Sequence, residues 1–385
     1  MRHCYTRRHW MASLAGTAAA LALPRPAKAA PAGRVAVARC ETYGPELVPT
    51  LATMFDQLGG LGKLVANKTV AIKINMTGSA SGRLGYAPAE ISHFTHPAVI
   101  GATVHLMSRA GARRIRILEG CFSCPDPLEE FMMEANWNPS LISGAAPLVE
   151  FENTNWLGGR YKEYARFTPP NGGYMFPGYD LSPAYRDCDV FVSIAKMKEH
   201  ATAGVTLAMK NVFGVTPITI YGEGAGEKEP SEIPRGGRDM IHSGSRQPSK
   251  SSPGENPNTP KGDDGARVPR VVADLVAARP VDLAVIDGVW TMDHGEGPWI
   301  EGGSVIHPGL LVAGTNVVST DAVGMALMGF DPMANRGQAP FERCDSTLAL
   351  AEAHGAGCRD LARIEVAGAP IAGNVFSFRQ RKPQA

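Results

Sequence analysis

Apolar residues in this chain come in short runs bounded by turn residues, with amphipathic stretches between them. Runs at residues 34–39, 69–74, 115–118, 190–194, 283–286, 310–312 and 364–366 are rich in Val, Ile, Leu and Ala and predict strands. Several are apolar without interruption, as in strands that a parallel sheet buries on both faces. His96-Pro97 opens a predicted helix through Ala110, with proline at the permissive first turn. Further helices are expected at 269–278 and 321–328, and 204–214 reads as a short helix ending at Gly214. Strands alternating with helices predict an α/β fold, a largely parallel sheet with flanking helices, as a single domain over residues 34–370. Residues 222–267 break the pattern. They hold no Phe, Trp or Tyr and are thick with Gly, Pro, Ser and charge. Too little apolar surface is available there to offset the ordering entropy, so a long mobile insertion is expected, with His242 folding back toward a site.

The first 29 residues have a pattern of their own. Arg7-Arg8 precede a soft apolar run, which closes on Pro24 and the small-residue sequence Ala27-Lys28-Ala29. A charged start, a short apolar centre and an A-x-A end form a secretory signal, too short to span a bilayer. The paired arginines select the twin-arginine route, so the expected partner is the twin-arginine export machinery. The expected location is periplasmic or extracellular, reached already folded, with no stable membrane anchor. Five of the 38 Lys and Arg residues lie in this leader and no Asp or Glu does, so the remainder is net acidic against its 37 carboxylates. A nucleic-acid partner is not expected, because such binding demands a basic surface.

Candidate chemistry gathers beyond the strand at 190–194. Lys196 and Lys198 are two apart and share a face of an extended segment. His200 follows them. Thr206 and Lys210 are four apart and share a face of a helix, with Asn211 adjacent. In open α/β sheets ligands bind beyond the carboxyl ends of strands, where this cluster falls. Lysines, an imidazole and amides converging on one crevice suit a small anionic molecule. Other strand ends carry similar punctuation: Lys73 and Asn75, Glu119, and Asp287, with Asp321 at a helix start and His96 at another. Six cysteines follow the leader, and Cys121-Phe122-Ser123-Cys124 is the one C-x-x-C.

The run Ala195-Lys196-Met197-Lys198-Glu199-His200, followed by Val205 to Gly214, resembles the signature of the DUF362 family. Lys73-Ile74-Asn75, His96-Pro97, Ile286-Asp287-Gly288, Gly295-Glu296-Gly297-Pro298 and Ser319-Thr320-Asp321-Ala322-Val323 fit the same pattern in the same order. The resemblance spans residues 71–331 and implies a family of unknown function, some of whose members are iron–sulfur proteins. The clustered cysteines of such members are lacking here. Two functions are expected as alternatives. In the first, an enzyme uses Lys196, Lys198, Lys210 and His200 as catalytic residues, with Lys73, Asn75, Thr206, Asn211, Asp287 and Asp321 binding substrate. In the second, a non-catalytic protein carries a divalent metal or other cofactor on ligands drawn from His96, His200, His242, Asp287 and His294, with Cys121 and Cys124.

Overall fold

A computed structural model describes residues 31–378, and the leader read at 1–29 lies outside the described residues. Eight strands form the main sheet: β1 Arg34–Arg39, β2 Thr69–Lys73, β3 Arg114–Glu119, β4 Val149–Asn153, β5 Val190–Lys196, β6 Leu283–Gly288, β7 Leu310–Gly314 and β8 Glu365–Gly368. Their order across the sheet is β8-β1-β7-β6-β5-β2-β3-β4. All neighbours pair in parallel except at β7, which runs antiparallel to both β1 and β6. The sheet is therefore the largely parallel one that the apolar runs predict.

Residues along β5 divide between two cores, as period-two geometry requires. Val190, Val192 and Ile194 pack on the side covered by helices α1 Leu47–Gln57 and α2 Pro97–Arg109. Phe191 and Ala195 pack on the opposite side, with α3 Ala208–Val212, α5 Asp264–Ala278 and α6 Val317–Leu327. Burial on both faces explains why the central strands read as continuous apolar runs.

Several boundaries move. Glu119 ends its strand as expected, whereas pairing continues past two apolar runs, so Lys196 and Asp287 belong to strands and not to the loops beyond them. Ladder hydrogen bonds need backbone, not apolar side chains. The stretch expected as one helix over 204–214 is split. Gly204–Thr206 pairs antiparallel with Lys198–His200 as a hairpin, and helix begins only at Ala208. The helix expected from Pro269 starts at Asp264, because the Asp263 side chain accepts from the Ala266 N–H at 3.1 Å. The helix expected from Asp321 starts at Val317, capped by Asn316 Oδ1 accepting from Ser319 N–H at 3.0 Å.

The insertion at 222–267 carries its own helix, α4 Asp239–Ser243, and opens α5. Met240 and Ile241 of α4 are buried in the core, and side chains bonded to backbone tie down the rest of the segment. The Ser249 hydroxyl donates to Gly226 O at 2.6 Å, and Asn256 Nδ2 donates to Gly172 O and Gly173 O at 3.0 and 3.1 Å. Arg267, wholly buried, donates to the Glu255 carboxylate and to Pro260 O at 2.6 Å. Removing one partner of a buried pair strands the other, at about 3–5 kcal/mol. Arg267→Ala should therefore lower stability by that order and open 222–260 to limited proteolysis. Digestion no faster than that of the parent chain would show that this pair does not anchor the segment.

Candidate active site

The chain leaves β2 toward β3 and β4 on one side, then returns to place β5 on the other side of β2. That reversal opens a crevice beyond the carboxyl ends of β2 and β5, the usual ligand position in open α/β sheets. Asn211 of α3 spans it. Its Nδ2 donates to Lys73 O, Ser193 Oγ and Ile194 O at 3.2, 3.0 and 3.3 Å, and its Oδ1 accepts from Lys73 Nζ at 3.2 Å. The crevice opens into a cavity of about 680 Å³ that Lys73, Asn75, Glu119, His200, Thr206, Lys210, Asn211, Arg238 and His242 line, with Phe122, Glu296 and Trp299.

Lys73 and Glu119 form its floor. Their side chains meet at 2.5 Å, almost wholly buried. Glu119 also accepts from Gly120 N–H at 2.8 Å and from Met76 N–H at 2.9 Å. Burial draws the Lys73 ammonium down, and Glu119 opposes that shift. Gly214 makes the packing possible, since a Cβ there would stand 3.0 Å from Lys73 Nζ.

Lys210 differs. Among the described residues its ammonium makes no hydrogen bond, and it rests 4.5 Å from the centroid of the Phe213 ring. Burial lowers its pKa to about 7, with Glu296 opposing and Arg238 and Lys73 reinforcing the shift. Two further polar atoms in the cavity wall, Asn75 Oδ1 and Thr206 Oγ1, are buried with no partner among the described residues. A buried polar group left in this way costs about 1–3 kcal/mol, which a ligand can recover.

The two histidines of the cavity carry their protons on opposite nitrogens. Thr202 N–H donates to His200 Nδ1 at 3.1 Å. An amide can only donate, so the neutral His200 ring has its proton on Nε2. His242 Nδ1 lies 2.8 Å from Arg238 O, a carbonyl that can only accept. His242 therefore has its proton on Nδ1 and a lone pair on Nε2. Burial pushes both pKa values down, and Lys210 adds to the shift in each, so both rings stay neutral near pH 7.

Other residues expected here lie elsewhere. Lys196 is sealed beneath the cavity, donating to Asp287 Oδ2 at 2.9 Å, Tyr43 OH at 3.1 Å and Glu90 O at 2.7 Å. Asp287 also accepts from Tyr43 OH and His96 N–H, each at 2.9 Å. Lys198 donates to His93 O at 2.6 Å and Glu296 O at 2.9 Å. Met197 N–H extends the ladder by donating to Asp287 O at 2.8 Å, and the lysines on either side of it both reach the 90–93 segment, at Glu90 O and His93 O, so they share a face that is closed by that segment. Asp321 is buried behind the site and accepts from Ala208 N–H and Met209 N–H at 2.9 and 2.8 Å. It caps α3, not its own helix, and burial pushes its carboxyl up to about 8 against those two donors. His96 stacks on Tyr43 at 3.6 Å and spends Nδ1 on Ala98 N–H at 3.1 Å, capping α2. His294 lies outside the cavity lining, its backbone N–H bonded to Glu199 Oε2 at 2.7 Å.

The metal set is accordingly not assembled. Among the described residues no group of three or more His, Cys, Asp or Glu side chains could hold a metal ion. The six described cysteines are free thiols, and burial pushes the Cys121 and Cys124 thiols upward.

A family model described as "Domain of unknown function (DUF362)" matches residues 70–326, which include every strand-end residue of this site. The chain belongs to the DUF362 family. Similar in sequence is the thylakoid-associated protein sll1697 of Synechocystis sp., 25% identical over 321 residues, or 83% of this chain and 81% of that protein. Among solved structures, the lactate racemase apoprotein of Thermoanaerobacterium thermosaccharolyticum matches 71% of this chain with a TM-score of 0.37 and 13% identity. A Thermotoga maritima protein matches 70% with a TM-score of 0.35 and 11% identity. The chain spans about half the length of these two structures, 54% and 55% respectively. No helix among the described residues of this DUF362 protein is long and apolar enough to cross a membrane.

Arg238 had a readable signal in the DUF362 chain. It stands four residues before His242, the spacing of one helix face. Its guanidinium donates to Asn155 Oδ1 at 2.8 Å and to Thr216 O at 2.9 Å. Tyr43 had none, because it acts against Asp287 and Lys196, far away in sequence.

The lysines should part company on mutation. Lys196→Met leaves Asp287 buried and unpaired, so stability should fall by about 3–5 kcal/mol. Lys210→Met breaks no hydrogen bond and removes an ammonium that burial disfavours, so near pH 7 it should leave denaturant unfolding unchanged or raise its midpoint. Equal losses in the two variants would refute this division between a structural and an available lysine.

Proposed function

We propose that this DUF362 protein is an enzyme that binds an organic anion in the β2/β5 crevice and moves a proton to or from it. The observation that carries the reading is the pair of neutral histidines protonated on opposite nitrogens in one cavity beside an uncommitted ammonium. Lys210 holds the anion as a point charge, and Arg238 adds positive potential around it. Asn75 and Thr206 supply the remaining polar contacts from their unpartnered oxygens. His242 Nε2 is the base that takes up the proton and returns it, and the neutral His200 Nε2–H is a hydrogen-bond donor to the charge that develops on the ligand meanwhile. Lys196, Lys198, Asp287, Asp321 and Asn211 are positioning residues in this reading. The twin-arginine run at Arg7-Arg8 supports export of the folded domain, which then works outside the cytoplasm.

The chemistry is tested by exchange. Organic acids that raise the unfolding temperature are incubated with the protein in D₂O, and loss of carbon-bound proton signal is followed by NMR. His242→Gln should abolish exchange while the thermal shift from the same acid persists. If no bound acid exchanges, or if exchange survives in both His242→Gln and His200→Gln, proton transfer at this site is refuted.

Charge is tested by pH. The Lys210 pKa is depressed in the folded state, so neutral Lys210 favours folding at high pH, and that contribution is lost as pH falls from the unfolded value toward about 7. An anion binds best once the ammonium has formed. Thermal stabilisation by such an acid should therefore be greater at pH 6 than at pH 8.5, and Lys210→Met should remove the difference. A shift independent of pH in the parent protein would exclude Lys210 as the anion holder.

A further inference from the structure

The cavity of about 680 Å³ is the size that engulfs a drug-sized molecule, larger than a simple small anion needs. Its chemistry is also unevenly spread. Lys73 and Lys210 come from the strand end and α3, while two large aromatic side chains, Phe122 and Trp299, come from loops and line the same cavity. Both remain about half exposed, Phe122 at 47% and Trp299 at 51%. Exposed rings forgo the burial that usually makes large aromatics worthwhile.

Trp299 is nevertheless held in place. Its indole lies directly on the backbone of two glycines. A Cβ on Gly297 would stand 2.3 Å from Cη2, and one on Gly78 would stand 2.4 Å from Cζ3. Gly78 sits at φ 85°, in the left-handed region that favours glycine, so two reasons keep a side chain off it. The indole N–H donates to Glu296 Oε1 at 3.2 Å, which fixes the ring in its plane. Phe122 lies on a turn whose next residue, Ser123, takes φ 52°, a conformation a serine adopts only under constraint. Gly237, just before Arg238, lies beside the Phe122 ring, where a Cβ would be in ordinary contact at 3.6 Å from Cε2. A half-exposed indole seated on two glycines and a half-exposed phenyl on a strained turn are surfaces prepared for a ligand.

We infer that the ligand of this cavity is an amphipathic organic anion with a flat, apolar body, its charged end on Lys210 and its body against Trp299 and Phe122. The inference rests on the anion-binding reading above and adds the chemical class of the substrate. Aromatic stacking and burial of the flat body supply selectivity that a charge alone cannot give. The two histidines then work on the part of the ligand between its charge and its ring system.

The test uses the mature full-length chain and three probes followed by calorimetry: 2-naphthoate, acetate, and the uncharged 2-naphthalenemethanol. 2-Naphthoate should bind at least roughly tenfold more tightly than acetate, the equivalent of about 1.4 kcal/mol. Trp299→Ala should erase most of that advantage, weakening 2-naphthoate far more than acetate. Phe122→Ala serves the same purpose should the tryptophan variant fold poorly. Equal affinity for 2-naphthoate and acetate, with both dependent on Lys210, would overturn the flat-body inference and leave the anion reading standing. Binding of 2-naphthalenemethanol as tight as that of 2-naphthoate, unaffected by Lys210→Met, would overturn the anion reading and with it the amphipathic anion proposed here. Weakening of 2-naphthoate and acetate by the same factor in both aromatic variants would also overturn the inference.

Discussion

The ion pair between Lys196 and Asp287 organises the carboxyl edge of the sheet. Register places the two residues opposite each other on adjacent parallel strands, and both side chains are wholly buried. Two charges in such a place carry a desolvation penalty of several kcal/mol each, tolerable only when every donor and acceptor is filled. Here they are. The three ammonium donors of Lys196 meet Asp287, the Tyr43 hydroxyl and the Glu90 carbonyl. The carboxylate of Asp287 in turn holds the backbone N–H groups of His96 and Val289. The loop after β1, the loop before α2 and the turn after β6 are thus fastened at one point.

The second pair, Lys73 with Glu119, stands across the next two strands and serves a different end. Its members face the cavity, and Asn211 links Lys73 to β5. Between the pairs the strands diverge, so the crevice has a rigid, charge-balanced base. Lys210, Asn75 and Thr206, whose polar atoms are uncommitted, stand over that base. A floor whose charges are already neutralised leaves the field of Lys210 to act on what enters, instead of on the protein itself.

Much of this was legible in the sequence, and the limits have physical causes. The apolar runs located the sheet because a buried parallel strand leaves little choice of side chain. The stretch around residues 196–211 was legible as a region of chemistry for the opposite reason, that its polar residues follow such a strand. Spacing alone could not divide its lysines. Whether an ammonium is sealed or open depends on Tyr43, Glu90 and His93, far away in the chain. The insertion at 222–267 shows a related limit. Composition measures apolar burial, whereas Ser249, Asn256 and Arg267 hold this segment through hydrogen bonds to backbone and carboxylate. Arg238 and His242 reach the cavity on that scaffold.

Asp321 carries a consequence for how the site comes into being. Helix α3 is five residues long, too short to persist in water by itself, and its first turn is closed by a carboxylate more than a hundred residues downstream. Lys210 and Asn211 ride on that helix. A nascent chain that has not yet delivered Asp321 therefore owns the residues of the site without owning the site. Ligand capture is tied to completion of the fold, and any fragment ending short of α6 is inert however well its first half collapses.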